Sequence, residues 1–275
     1  MTPALRAGWR TRVIKVGGRP QLDPALPNAL LAAWRATFPQ ASLPAPEAME
    51  SIVVVHGGGD EVSTLQRLYG VTSEFRDGRR VTSQTDLEIL RMALSGSANK
   101  RLVSALVSLR IPAVGLSGED AGLIIAVPDD KENLGFVGSP MVVQHQLLDI
   151  LMAHLFMPVI SPVSRCFNPE DGATLNVNGD DAASAIAVAL KANELLFVSD
   201  VEGVLVDGVV ITSLTLEHAW QLVDDKTAQG GMAAKLRAAI GALDGGVERV
   251  RISDIAAIEQ LDRGTVLTRV GSIHA

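Results

Sequence analysis

The chain has 275 residues, 47% of them hydrophobic, one cysteine and a formal net charge of -7 at pH 7, with a pI of about 5.3 and a mean hydropathy of +0.25. That length and apolar content allow a large buried core and exclude a disordered chain. The acidic balance excludes general affinity for nucleic acid or anionic membrane, and the lone Cys166 excludes an intrachain disulfide or a cysteine-based metal site.

Residues Met1 to Arg12 hold Arg6, Arg10 and Arg12 but no apolar signal segment, and the most apolar later stretch, Leu147 to Val163, is broken by Asp149, His154 and Pro158. A soluble cytoplasmic protein is expected, with no membrane partner. Aromatics make up 4% of the chain, and its abundant small aliphatic residues suit a parallel sheet packed under helices, an α/β fold.

The first predicted strand, Arg12 to Val16, delivers Lys15 near its end and runs into Gly17-Gly18. A cation beside a turn without side chains lets backbone amides and an ammonium approach one anion, phosphate above all. Alone this pattern is weak, because strands often end in glycine turns for steric reasons. A helix over Pro27 to Ala36 and a proline-rich loop over Pro39 to Pro46 follow. The second strand, Ser51 to Val55, leads into His56-Gly57-Gly58-Gly59-Asp60, another strand-to-helix glycine turn suited to a charged oxygen. His56 has no second histidine at ligand spacing and is assigned a structural role.

A continuous helix is expected over Gln84 to Leu109, then a strand over Ala113 to Gly115. Leu123 to Val137 breaks the rhythm with short apolar pieces, which suggests hairpins outside the main sheet. A helix over Gln144 to His154 and a strand over Pro158 to Ile160 follow, with a lobe boundary expected near residue 175. Asn176-Val177-Asn178-Gly179-Asp180-Asp181 then opens a helix over Asp180 to Lys191. A helix cap explains part of this cluster; the surplus leaves Asn176 to donate to a carboxylate and Asp180 to orient lysines. Further elements are a strand over Leu195 to Ser199, helices over Leu214 to Val223 and Met232 to Leu243, and a strand over Arg249 to Ile252. Gly230-Gly231 precedes Lys235, whose side chain leans back toward the helix N-terminus, where an anion would meet it. No Gly-Lys dipeptide occurs, which excludes the P-loop.

Taken together, these segments resemble the amino acid kinase family in the family's own order. They include Ile14-Lys15-Val16-Gly17-Gly18, Val55-His56-Gly57-Gly58-Gly59, Gly78-Arg79-Arg80, Asn176-Val177-Asn178-Gly179-Asp180, Ser199 to Leu205 and Gly230 to Lys235. The resemblance is greatest to the branch acting on N-acetyl-L-glutamate. It implies a three-layer αβα sandwich made of one domain, residues 1–175 binding the acyl amino acid and forming a dimer and residues 176–275 binding ATP. It implies phosphorylation of the side-chain carboxylate in the second step of arginine biosynthesis, with Mg²⁺ carried on ATP and no metal held by side chains. By the same resemblance Lys15, Lys235 and Asp180 are catalytic, and Gly58, Gly59, Arg80 and Asn176 hold the acyl amino acid. Gly17, Gly18, Asp200, Val201, Glu202, Gly203, Val204, Leu205, Thr227, Ala228 and Gln229 are assigned to the nucleotide.

Gly179 stands where the family usually has alanine, and Arg19 where a small or polar residue is common. About a dozen residues precede the first strand, leaving little room for the N-terminal helix of arginine-sensitive hexameric relatives. A homodimer with weak or absent arginine inhibition is therefore expected. A kinase of carrier-linked 2-aminoadipate and a non-catalytic ligand sensor of the same fold remain the rival readings.

Overall fold

The computed structural model describes residues 9–37, 49–72, 74–76, 79–168 and 174–269. The expected Pro39 to Pro46 loop and Gly78 lie outside the described residues. The chain opens with strand β1 (Arg10–Val16), a 3-10 turn (Pro20–Leu22), helix α1 (Leu26–Thr37), strand β2 (Glu50–His56) and helix α2 (Gly59–Leu68). A ribbon of β3 (Phe75–Arg76) and β4 (Arg79–Arg80) leads into α3 (Gln84–Leu90), a π-helical segment (Arg91–Ala98) and α4 (Asn99–Ser108). Next come β5 (Ala113–Gly118), β6 (Ile124–Pro128), α5 (Lys131–Leu134), β7 (Val137–Val143), α6 (Gln146–Ala153), β8 (Met157–Cys166) and β9 (Thr174–Val177). They are followed by α7 (Gly179–Ala189), β10 (Glu194–Val198), β11 (Leu205–Val206), β12 (Val209–Val210) and β13 (Ser213–Thr215). The last elements are α8 (Leu216–Asp224), α9 (Gly230–Asp244), β14 (Arg249–Ser253) and β15 (Thr265–Thr268).

Among the described residues eleven strands form one sheet, in the order β13-β15-β14-β10-β1-β2-β8-β6-β7-β9, with β5 also on β8. The six strands read from apolar runs are its parallel centre: β14, β10, β1, β2, β8 and β5. Alternation along β1 divides the core into two. Ile14 and Val16 pack with Leu30 and Trp34 of α1 and Leu106 of α4, whereas Val13 shares the opposite core with α7 and α9. The result is a helix–sheet–helix sandwich, with Lys15 on the α7 and α9 side by the same alternation.

Two expectations are corrected. The Leu123 to Val137 region does form a hairpin, β6 with β7, but it belongs to the main sheet. The ten-residue β8 outruns its pairing with β2, so its end pairs Arg165 with Ile125 and Cys166 with Ala126. The Gln84 to Leu109 helix is not regular throughout, since its middle turns widen into the π-helical segment around Ser95-Gly96-Ser97. Ser95 Oγ meets Ser161 Oγ at 2.7 Å there, and the extra residue per turn helps aim Asn99 at the core.

The amino ends of the central strands are tied by buried charge. Glu194 accepts from Arg12 Nε at 2.8 Å and from Arg251 Nε at 2.7 Å, and Arg251 is fully buried. Burial works to raise the Glu194 pKa, but Arg251 and Arg12 outweigh it and hold it below the usual glutamate range. Stability from Glu194 is therefore present above the ordinary glutamate pKa and is lost as pH falls below it. Glu194→Ala, which leaves the fully buried Arg251 without its carboxylate and Arg12 with only Glu50 at 3.7 Å, is expected to cost about 3–5 kcal/mol in urea unfolding, and an unchanged midpoint would contradict this.

Candidate active site

Strands β1 and β2 lie side by side with Val16 opposite His56, so their carboxyl ends bring both glycine turns together. A Cβ on Gly18 would lie 3.6 Å from the Gly59 nitrogen and 3.9 Å from that of Gly58, filling the space before both amides. Gly58 has φ +148°, and a Cβ there would also come within 2.7 Å of Leu94 Cδ2, so the turn requires glycine. The Gly17 amide donates to Val198 O at 3.0 Å and that of Gly57 to Val16 O at 2.9 Å. These bonds lock the turns, so the Gly17 amide is not the one offered to an anion. Gly18, Gly58 and Gly59 face the cavities, where α2 begins with its positive end.

Asn178 caps α7, its Oδ1 accepting from the Asp180 amide at 2.7 Å, which sets the Asp180 carboxylate in the first helical turn. Lys15 Nζ approaches Asp180 Oδ1 at 2.8 Å, and Lys235 Nζ, from α9, lies 3.2 Å from Oδ1 and 3.3 Å from Oδ2. All three residues are buried, and the Lys235 ammonium stands 5.4 Å from the Phe197 ring centroid. Burial favours a protonated Asp180, yet the two lysines overcome it and keep its pKa below the usual carboxylate range. Burial, then repulsion from Lys15, lowers Lys235 to about 8 despite the pull of Asp180. Two ammoniums against one carboxylate leave a dry positive site suited to an anion.

This triad stands where two cavities meet. One, of about 260 Å³, is lined by Arg80, Asn176 and the Gly57-Gly58-Gly59 turn; the other, of about 500 Å³, by Arg19, Asp200 and Gly231. Lys15, Gly18, Gly59 and Asp180 line both, and Lys235 lines the second. A third cavity of about 190 Å³, walled by Val201, Val204, Leu205, Thr227, Ala228 and Gln229, adjoins the second through Val201 and Met232. The second cavity thus shares its lining with both of the others, a polar chamber through Lys15, Gly18, Gly59 and Asp180 and an apolar slot through Val201 and Met232.

Arg80 donates to Gln66 Oε1 at 2.5 Å and Ser63 Oγ at 2.9 Å, with its guanidinium 4.6 Å from the Phe75 ring centroid. Asn176 donates to Thr82 Oγ1 at 3.0 Å. Glu202 instead meets Arg263 at 3.0 Å, and Gly203 packs against Thr265 and Val210, so both shape the loop without lining these cavities. His56 is buried and lowered to about 4 by that burial, which keeps it neutral. Its Nδ1 donates to Gly57 O at 2.8 Å, and its Nε2 accepts from Asn99 at 3.1 Å, a structural role. Sequence reasoning missed Leu222 and Met232 of the apolar slot and Val62, Leu90 and Leu94 of the polar chamber, all of which read as ordinary helix core positions.

The sequence model of the amino acid kinase family matches residues 10–254. An acetylglutamate kinase of Roseiflexus castenholzii is 41% identical over 266 residues, 96% of each chain. Another, from Geobacillus stearothermophilus, is 40% identical over 245 residues, covering 88% of this chain and 89% of that one. The crystal structure of smu.665 from Streptococcus mutans matches with a TM-score of 0.80 and 25% identity over 94% of this chain and 99% of that one.

Asp180→Asn removes the carboxylate between two ammoniums, so the Lys235 pKa is expected to drop below about 8 in an NMR titration of the lysine side chain. A Lys235 titration unmoved by this substitution would contradict the arrangement.

Proposed function

The chain belongs to the amino acid kinase family, and we propose that it transfers the γ-phosphoryl group of ATP to the side-chain carboxylate of N-acetyl-L-glutamate. The products are N-acetyl-L-glutamyl 5-phosphate and ADP, and the reaction is the second step of arginine biosynthesis. The observation that carries this reading is the Lys15–Asp180–Lys235 cluster at the junction of a polar chamber and a cleft leading to an apolar slot. Two relatives named for this activity support the choice of acceptor.

In this reading the acyl amino acid lies in the chamber, its carboxylate near Arg80 and Asn176, and the adenine lies in the slot. The attacking carboxylate is already ionised at neutral pH, so no general base is required. The γ-phosphoryl passes between Lys15 and Lys235, which neutralise its equatorial oxygens, while Asp180 holds both ammoniums in place and the Gly18, Gly58 and Gly59 amides receive oxygens. Among the described residues no group of three or more His, Cys, Asp and Glu side chains is placed to hold a metal ion. Mg²⁺ would ride on the ATP phosphates, where it offsets their charge. The polar chamber falls mainly to residues 1–175 with the Asn176 segment and the adenine slot to residues 176–275, while the cleft for the phosphates is shared, with Lys15, Gly18 and Arg19 on one side and Asp200 and Lys235 on the other. For the homodimer, β5 offers an edge, since it pairs with β8 alone among the described strands. No helix of the described residues is long and apolar enough to cross a membrane.

The direct test is ATP-dependent acyl phosphate formation, trapped with hydroxylamine, from N-acetyl-L-glutamate beside free glutamate and N-acetyl-aminoadipate; preference for another acceptor would overturn the assignment. Lys235→Ala should fold yet lose roughly 3 kcal/mol of transition-state stabilisation, a fall of about 100-fold in kcat. Arg80→Ala should mainly raise KM for the amino acid. Because Lys235 acts as its ammonium, kcat/KM for ATP should fall as pH rises through about 8. Lys235→Arg, which keeps its charge, should shift that limb upward.

A further inference from the structure

We propose that Arg19 is a phosphate-contacting residue of the nucleotide cleft, an arm that exchanges Asp200 for the β- and γ-phosphates of ATP. This rests on the kinase reading and adds to it a residue outside the Lys15–Asp180–Lys235 cluster.

Arg19 follows the Gly17-Gly18 turn directly and precedes Pro20, which starts the 3-10 turn. Its backbone is fixed on both sides, since Gln21 N donates to Gly17 O at 3.1 Å and Leu22 N to Arg19 O at 3.0 Å. The long side chain therefore springs from a rigid base at the lip of the cleft. It crosses the carboxyl ends of the adjacent strands β1 and β10, and its Nη1 meets Asp200 Oδ2 at 2.8 Å.

The charges around this cleft explain why that pair is the one to open. Lys15, Lys235 and Arg19 line it, and so do the carboxylates of Asp60, Asp180 and Asp200. The side chains thus bring no net positive charge of their own to a triphosphate, so beyond its Mg²⁺ a phosphate gains most from a cation that can readily leave its carboxylate. Lys15 and Lys235 share a buried Asp180, with Lys15 and Asp180 side chains each 9% exposed, so separating them leaves an unpaired charge in a dry site. Arg19 and Asp200 are 77% and 50% exposed, and such a pair is weak because water and salt screen it. Opening it costs little and frees a guanidinium whose planar fork suits phosphate oxygens. Asp200, paired at the mouth, acts as the competitor that the nucleotide displaces.

The experiment compares binding of ATP and of adenosine to the full chain and to Arg19→Ala by calorimetry. Adenosine carries the part of the nucleotide that the apolar slot takes and none of the phosphates. The expected result is a Kd for ATP raised about tenfold in Arg19→Ala with that for adenosine unchanged, and partial recovery of ATP binding in Arg19→Lys, which restores the charge without the fork. An ATP affinity equal in both proteins overturns the proposal, as does a parallel loss for adenosine, which would show that Arg19 serves only the loop. Failure of the unmodified chain to bind ATP would instead overturn the kinase reading, and the Arg19 assignment with it.

Discussion

The site depends on one buried carboxylate shared by two buried ammoniums. Three such charges cost several kcal/mol each to desolvate, and without Asp180 the lysines would repel each other in a low-dielectric interior. Their positions come from separate parts of the fold: the end of β1, the first turn of α7 and the second turn of α9. The sandwich converts that long-range requirement into local geometry. Side-chain alternation on β1 turns Lys15 toward the α7 and α9 layer, the Asn178 cap sets Asp180, and the backward lean of helical side chains aims Lys235.

Around the cluster the glycine turns remove what a side chain would block. The bonds from Gly17 to Val198 and from Gly57 to Val16 make those turns rigid, and the remaining amides face the cavities. Such a site works by holding two ligands in line and stabilising charge that moves between them. In the proposed reading the polar chamber and the apolar slot divide recognition, and the cluster serves both ligands. The amino ends of the same strands carry the Arg12–Glu194–Arg251 network, so charge is buried at both ends of the sheet with different purposes.

The six central strands were legible in the sequence because strands buried on both faces read as short apolar runs, and the triad was legible because its residues sit at glycine turns and a helix start. The β6–β7 hairpin was misplaced because its membership of the sheet depends on how far β8 extends, which composition does not encode. The π-helical widening was hidden because its apolar positions still satisfy a helical period within each turn. Commitment of the Gly17 amide and the pairing of Arg19 with Asp200 depend on contacts with β10 and its following loop, far away in sequence. Leu222 and Met232 gave no signal distinct from the apolar face of any packed helix.

The most direct test of the account is the affinity of the full chain for ADP with aluminium fluoride and N-acetyl-L-glutamate, a mimic of phosphoryl transfer, in unmodified protein and in Lys15→Ala. The account requires the mimic to lose far more affinity than ADP alone, because the lysine acts chiefly on the group in transit. Equal losses for the two would show that Lys15 only binds nucleotide, and would contradict the role given to the cluster.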